Sequence, residues 1–181
     1  MARKESISRT ALLDVAFSMI KEEGAGSVTA RKLAAKANCS TQPIFRIFKN
    51  MDEMEQELFL MAVTYFEDFY VNFSKKSDVP FVNLGMAYIQ FALQNKNVFS
   101  LLFISDKRHG KTLYDLINGE AGMVGKEITK AKTMGAKDAR DLFMKIWMVI
   151  HGSACMSLTG DYDLGETETQ KLLEDSYKAF S

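Results

Sequence analysis

The chain has 181 residues, 47% hydrophobic and 25% charged, with only two prolines; it is long enough for a continuous core in one or two domains, and its composition excludes a disordered or collagen-like chain. Basic and acidic side chains number 23 each, yet residues 1–51 hold nine Lys/Arg against four acids, an N-terminal excess that hints at a nucleic-acid-binding end. No apolar run approaches the ~18 residues of a membrane span, and MARKESISRT lacks the apolar segment of a signal peptide. Cys39 and Cys155 are too few for a disulfide framework or a zinc site. A cytoplasmic protein with no membrane partner, metal or cofactor is expected.

Periodicity predicts helix almost throughout. From Ile7, apolar residues recur at Ala11, Leu12, Val15, Ala16, Met19 and Ile20, the spacing of one buried helix face, and Gly24 and Gly26 stop it. Thr29 caps a second helix that turns Leu33, Ala34 and Ala37 inward. Asn38 falls where a turn needs positive φ. Ser40 is expected to cap a short third helix, with Pro43 in its first turn and Ile44, Ile47 and Phe48 apolar. Asp52 opens a long helix to about Ser74. Asp78 and Pro80 mark a fresh start for an apolar segment to about Gln94, and a short piece follows from Asn97 to Ser105. Residues 112–130 read as helix interrupted by Gly119, Gly122 and Gly125. The segment from Asp138 to about Leu158 is apolar around its whole circumference at residues 146–150. A last helix, about Glu168 to Phe180, presents Leu172, Leu173, Tyr177 and Phe180 on one face. No stretch alternates with period two. The expected fold is all-α.

Residues 29–50 then form one unit: a capped helix, a tight turn and a short second helix, the helix-turn-helix pattern whose second helix enters a major groove. Leu33, Ala34, Ala37, Cys39, Ile44 and Phe48 face inward; Ser40, Thr41, Gln42, Arg46 and Lys49 face outward. Small polar groups, an amide and cations are what base edges and phosphates require.

Residues 7–58 resemble the DNA-binding domain of TetR-type transcriptional regulators. The resemblance rests on Ile7…Ala11-Leu12…Ala16-Phe17…Gly24, on Val28-Thr29-Ala30-Arg31-Lys32-Leu33-Ala34, on the run from Cys39 to Asn50, and on Glu53-Met54…Leu58, in order and without insertion. Trp147…His151-Gly152 is similar to a Trp-His-Gly signature in the C-terminal domain of one TetR subgroup. The resemblance implies an N-terminal three-helix DNA-binding domain over 1–51 and a helical effector-binding and dimerisation domain over 52–181. It places backbone-contacting roles on Thr29, Arg31, Phe45 and Lys49. It places the base-reading face on Ser40, Thr41, Gln42, Pro43 and Arg46. The chain departs from the family pattern at Met51, commonly lysine, at Phe45, commonly tyrosine, and at Asn38, usually glycine.

Eleven of the 20 aromatic residues fall within 52–110. Ordinary core packing explains many of them, but with the resemblance they imply an apolar small-molecule pocket. Its candidate residues are Phe66, Phe69, Tyr70, Tyr88, Phe91, Phe103, Trp147 and His151, although a structural role suits His151 better. Residues 138–158 and 168–180 imply a homodimer matched to a pseudo-palindromic double-stranded operator. Gly110-Lys111-Thr112 lacks the earlier glycine of a P-loop, Asp161–Glu166 lacks calcium-loop ligands, and His151-Gly152-Ser153 is no nucleophile elbow. No catalytic set is found. The expected function is a ligand-responsive regulator, most often a repressor in this family; the alternative is a helical carrier of apolar molecules that does not bind DNA.

Overall fold

The computed structural model describes residues 7–181; Arg3, Lys4 and Glu5 of the N-terminal charge count, and most of the segment weighed against a signal peptide, lie outside the described residues. Among the described residues there are helices and turns but no strand. They divide into two compact units, one made of residues up to Tyr65 together with Asn97–Gly110, the other of Phe66–Lys96 and Lys111–Ser181.

In the first unit, α1 (Arg9–Glu23) starts where the Ser8 hydroxyl accepts the Ala11 N–H, and ends at Gly24 with φ +87°. It buries Leu12, Leu13, Ala16, Phe17, Met19 and Ile20. Thr29 caps α2 (Ala30–Lys36) by accepting the Lys32 N–H, as its spacing predicts. Asn38 has φ +51°, the left-handed turn that asparagine tolerates. The residue before α3 (Gln42–Ile47) is Thr41 rather than Ser40, and it makes no side-chain cap. Pro43 in the first turn needs no intrahelical donor, so the helix begins without help from a hydroxyl. The long α4 (Met51–Val71) has Asp52 and Glu53 in its first turn, where the positive end of the helix dipole favours them. Its residues through Tyr65 belong to the first unit. After α6 (Lys96–Phe99), Ser100–Ile104 forms a single π-turn closed by Ser105 N–H to Ser100 O at 2.9 Å.

The second unit is built around α5 (Val82–Gln94), in which every residue from Val82 to Ile89 is buried. It begins two residues later than Pro80 suggests. Phe81, fully buried, takes φ +67° and donates its N–H to the Glu127 carboxylate at 2.7 Å, so the chain cannot yet be helical there. The expected interrupted helix over 112–130 is two helices, α7 (Leu113–Asn118) and α8 (Met123–Thr133). Gly119 and Gly122 take φ +55° and +65° between them, whereas Gly125 stays within α8. A reciprocal Thr112–Asp115 capping box starts α7.

Asp138 caps α9 (Ala139–Thr159), and α10 (Glu166–Phe180) completes the chain. Both α9 and α10 pack on α5 and on each other. By length and composition α9 could cross a membrane, although no uninterrupted apolar run is present: Lys145, His151, Ser153 and Ser157 punctuate it. Leu142, Phe143, Ile146, Trp147, Ile150 and Ala154 are buried core residues. Of residues 146–150, apolar around the whole circumference, Met148 stays 64% exposed in the single chain.

At Gly85 the α5 backbone approaches α9 and α10 so closely that an added Cβ would lie 2.8 Å from Ile150 Cγ1 and 2.8 Å from Leu173 Cδ1. Gly85→Ala should therefore destabilise the protein by about 1–3 kcal/mol through overpacking. Thermal unfolding at fixed protein concentration checks this; an unchanged or raised midpoint would show that the three helices close less tightly.

Candidate nucleic-acid interface

Helices of seven and six residues cannot hold themselves in water, so tertiary contacts must position α2 and α3. Leu33, Ile44 and Phe48 supply the apolar part of that anchoring and are essentially sealed from solvent, while Ala37 and Cys39 are half-buried. Arg9 supplies the polar part. Its Nη1 donates to Ile47 O at the end of α3 (2.8 Å), its other nitrogens bind Glu53 and Glu57 of α4, and its guanidinium lies 4.3 Å from the centroid of the Phe48 ring. One side chain thus satisfies a carbonyl that helix geometry leaves open and ties α1 to the helices on either side of it. The Glu57 and then the Glu53 hydrogen bonds raise the Arg9 pKa above its ordinary value.

Glu53 also accepts the Lys49 N–H at 2.7 Å, and its own N–H donates to the Asn50 side chain at 2.9 Å. This exchange fixes the corner between α3 and α4. Hydrogen bonds from Arg9 first, then from the Lys49 backbone, lower the pKa of Glu53.

With the inner face so anchored, the outer face of α3 is free. Ser40, Thr41, Gln42, Phe45, Arg46 and Lys49 are exposed, and Pro43 is half-buried. Phe45 shows 54% of its surface, a large apolar ring on an otherwise polar rod. On α2, Arg31 is exposed and the Thr29 hydroxyl is engaged with the Lys32 N–H at 3.3 Å. The nine residues expected to contact DNA therefore lie on the two helices and turn of one motif. Their donors, with the Gln42 amide and Arg46 on α3 and Lys49 just past its end, suit a duplex groove and its flanking phosphates. Composition does not reveal Arg9, but the acidic pair Glu53 and Glu57, one helical turn apart, was a legible sign that α4 needs a cation.

The second set of expected residues is distributed between the units. Phe103 belongs to the first, with its ring 5.0 Å from that of Phe99. The other seven belong to the second, where Phe66 meets Tyr88 and Phe91, Phe69 meets Phe91, and Tyr88 meets Trp147. Burial, then the Glu127 charge, pushes the Tyr70 pKa up to about 12. His151 stacks on Trp147 with centroids 5.6 Å apart; its Nδ1 lies 2.9 Å from the Tyr88 hydroxyl and its Nε2 3.6 Å from Cys155 Sγ. Both ring nitrogens are thereby engaged, as a structural histidine requires.

Comparison with known proteins bears on both regions. Residues 12–58 match the family model described as bacterial regulatory proteins of the tetR family, and residues 81–180 match the tetracyclin repressor-like C-terminal domain. The chain belongs to the TetR family. A solved structure from Vibrio parahaemolyticus assigned to the TetR transcriptional regulators superposes with a TM-score of 0.65 at 19% identity, covering 94% of this chain and 97% of that one. Another, from Rhodococcus sp., gives 0.61 at 13% identity over 96% and 98%. No curated protein matches in sequence. This TetR-family chain thus carries the DNA-binding helix-turn-helix of transcription regulators, with Gln42 and Arg46 exposed on its second helix and Lys49 exposed just past its end.

Because Glu53 has a lowered pKa when folded, its contribution to stability is present above the pKa of an unfolded carboxyl and is lost as pH falls through the folded value. Glu53→Gln should be less stable than the wild type at pH 7, and the gap should close on acidification. Urea unfolding between pH 7 and pH 3 reads this directly; a gap that does not change with pH would contradict the Arg9 anchoring.

Proposed function

We propose that this protein is a ligand-responsive transcriptional regulator, a repressor released from a pseudo-palindromic operator by a small apolar molecule. The observation that carries the reading is the exposed polar side of α3 held open by buried Leu33, Ile44 and Phe48. Ser40, Thr41, Gln42, Pro43 and Arg46 read base edges, while Thr29, Arg31, Phe45 and Lys49 sit against the backbone. With phenylalanine at 45 and methionine at 51, non-specific affinity leans on Arg31, Lys32, Arg46 and Lys49. Residues 1–51 act as the DNA-binding domain, and 52–181 bind effector and dimerise.

Within the second unit, the rings of Phe66, Phe69, Tyr70, Tyr88, Phe91 and Trp147, together with His151, mark the region where an apolar effector is recognised. Trp147, His151 and Gly152 support a reading within the Trp-His-Gly subgroup. A cytoplasmic location accords with a regulator of transcription. Met144, Met148 and Met156 are exposed on α9, and Phe180 is exposed on α10. That apolar surface is covered by a second copy through residues 138–158 and 168–180. Two recognition helices then fall on half-sites about 34–36 Å apart. An effector that favours another dimer geometry weakens operator binding reciprocally, and a hundredfold loss needs about 2.7 kcal/mol of differential binding. The unbroken α4 is the lever.

Selection of duplexes from a random library should enrich a two-fold symmetric sequence, whereas a carrier of apolar molecules would enrich none at low salt. On the selected operator, Lys49→Ala should reduce the slope of log affinity against log salt by about one; an unchanged slope removes Lys49 from the phosphate contacts. Met148→Arg should shift sedimentation from dimer to monomer, and a variant that remains dimeric would place the interface elsewhere.

A further inference from the structure

The first unit contains a cavity of about 250 Å³ that the proposed effector region does not include. Its apolar floor is Ile20 of α1, Leu58 of α4 and Leu101 of the π-turn, and its polar wall is Glu55, Lys107 and His109. Ile20 and Leu58 are each only 2% exposed, so the floor is part of the core. The volume corresponds to roughly eight waters at ~30 Å³ each, the scale of a small molecule.

Charge narrows the chemistry. Lys107 Nζ lies 3.5 Å from Glu55 Oε2, and their side chains are 70% and 38% exposed: a long, loose pair at the mouth of an apolar hole. A simple anion would meet the Glu55 carboxylate, and a simple cation would meet Lys107. A neutral molecule would leave both charges without a new partner. A zwitterion, with an ammonium and a carboxylate on neighbouring atoms, offers each charge its opposite while its side chain enters the floor. The wall is built by a turn of unusual backbone: His109 takes φ +48° and sets its ring 5.1 Å from the centroid of buried Phe59. Gly26, also in the lining, has nothing within 4 Å of where a Cβ would stand.

We propose that this cavity is a binding site for a small apolar α-amino acid, its ammonium on Glu55, its carboxylate on Lys107 and its side chain against Ile20, Leu58 and Leu101. The site lies wholly within the unit that carries the helix-turn-helix, and its occupancy requires neither an operator nor the proposed effector.

Isothermal titration of the full-length protein with leucine, isoleucine, valine, methionine and phenylalanine tests it. At least one should bind, and isobutyl- or isoamyl-type amines and the matching fatty acids, each lacking one charge, should bind at least tenfold more weakly. Glu55→Gln and Lys107→Met should each weaken the amino acid at least tenfold, with circular dichroism and melting temperature confirming that they fold. No binding by any of the five amino acids, equal binding of the singly charged analogues, or unchanged affinity in both charge variants would overturn the assignment.

Discussion

The Arg9 guanidinium is the constraint on which the DNA-facing geometry depends. It reaches from the first turn of α1 to the last open carbonyl of α3 and to two carboxylates of α4. Hydrophobic burial alone is non-directional: Leu33, Ile44 and Phe48 would keep α2 and α3 on the core without fixing their rotation. A planar fork with five donors does fix it, because its hydrogen bonds must be met together. The Phe48 ring beneath the guanidinium joins the apolar and polar anchors into one assembly. The open side of α3 follows from that assembly: every side chain used for holding on is drawn to the opposite side.

The second unit solves a different problem, that of sealing a helix on nearly all sides. In α5 even Asn83 is buried, and its side chain is fully employed: Oδ1 accepts the N–H groups of Lys76 and Ser77, and Nδ2 donates to Ser77 O. The loop before α5 is thus tied down by the helix it precedes, which meets the hydrogen-bonding needs of its part-buried backbone. Tyr88, buried on the same helix, places its hydroxyl against His151. Polar groups in this core serve to register helices against one another, and the close approach at Gly85 is possible because no side chain intervenes.

How far this could be seen in the residues depended on the range of the interactions involved. The all-helical fold, the Thr29 cap, the left-handed Asn38 and the Asp138 start are local, set by side chains within three positions of the backbone they serve. The start of α3 was misplaced by one residue because proline, not a hydroxyl, permits it, and Ser40 is a plausible cap only when read alone. The start of α5 was misplaced because Phe81 is held out of the helix by Glu127, 46 residues away. The break between α7 and α8 required knowing that Gly119 and Gly122 take positive φ while Gly125 does not. The outward side of α3 was legible from its pattern, but Arg9 was not, since its partners are 38 to 48 residues distant. Phe103 looked like one more ring of an aromatic set, and only the three-dimensional structure assigns it to the first unit.

A helix advances about 100° per residue, which gives α4 two working sides within its first two turns. Glu53 and Glu57, four apart, share the side that grips Arg9. Glu55 lies about 200° around from each, on the side that lines the cavity with Leu58. The corner carrying Lys49 is held by Glu53, on the other side of α4 from the cavity lining. α4 therefore stands between the Arg9 ion pairs on one side and the apolar floor of Ile20, Leu58 and Leu101 on the other.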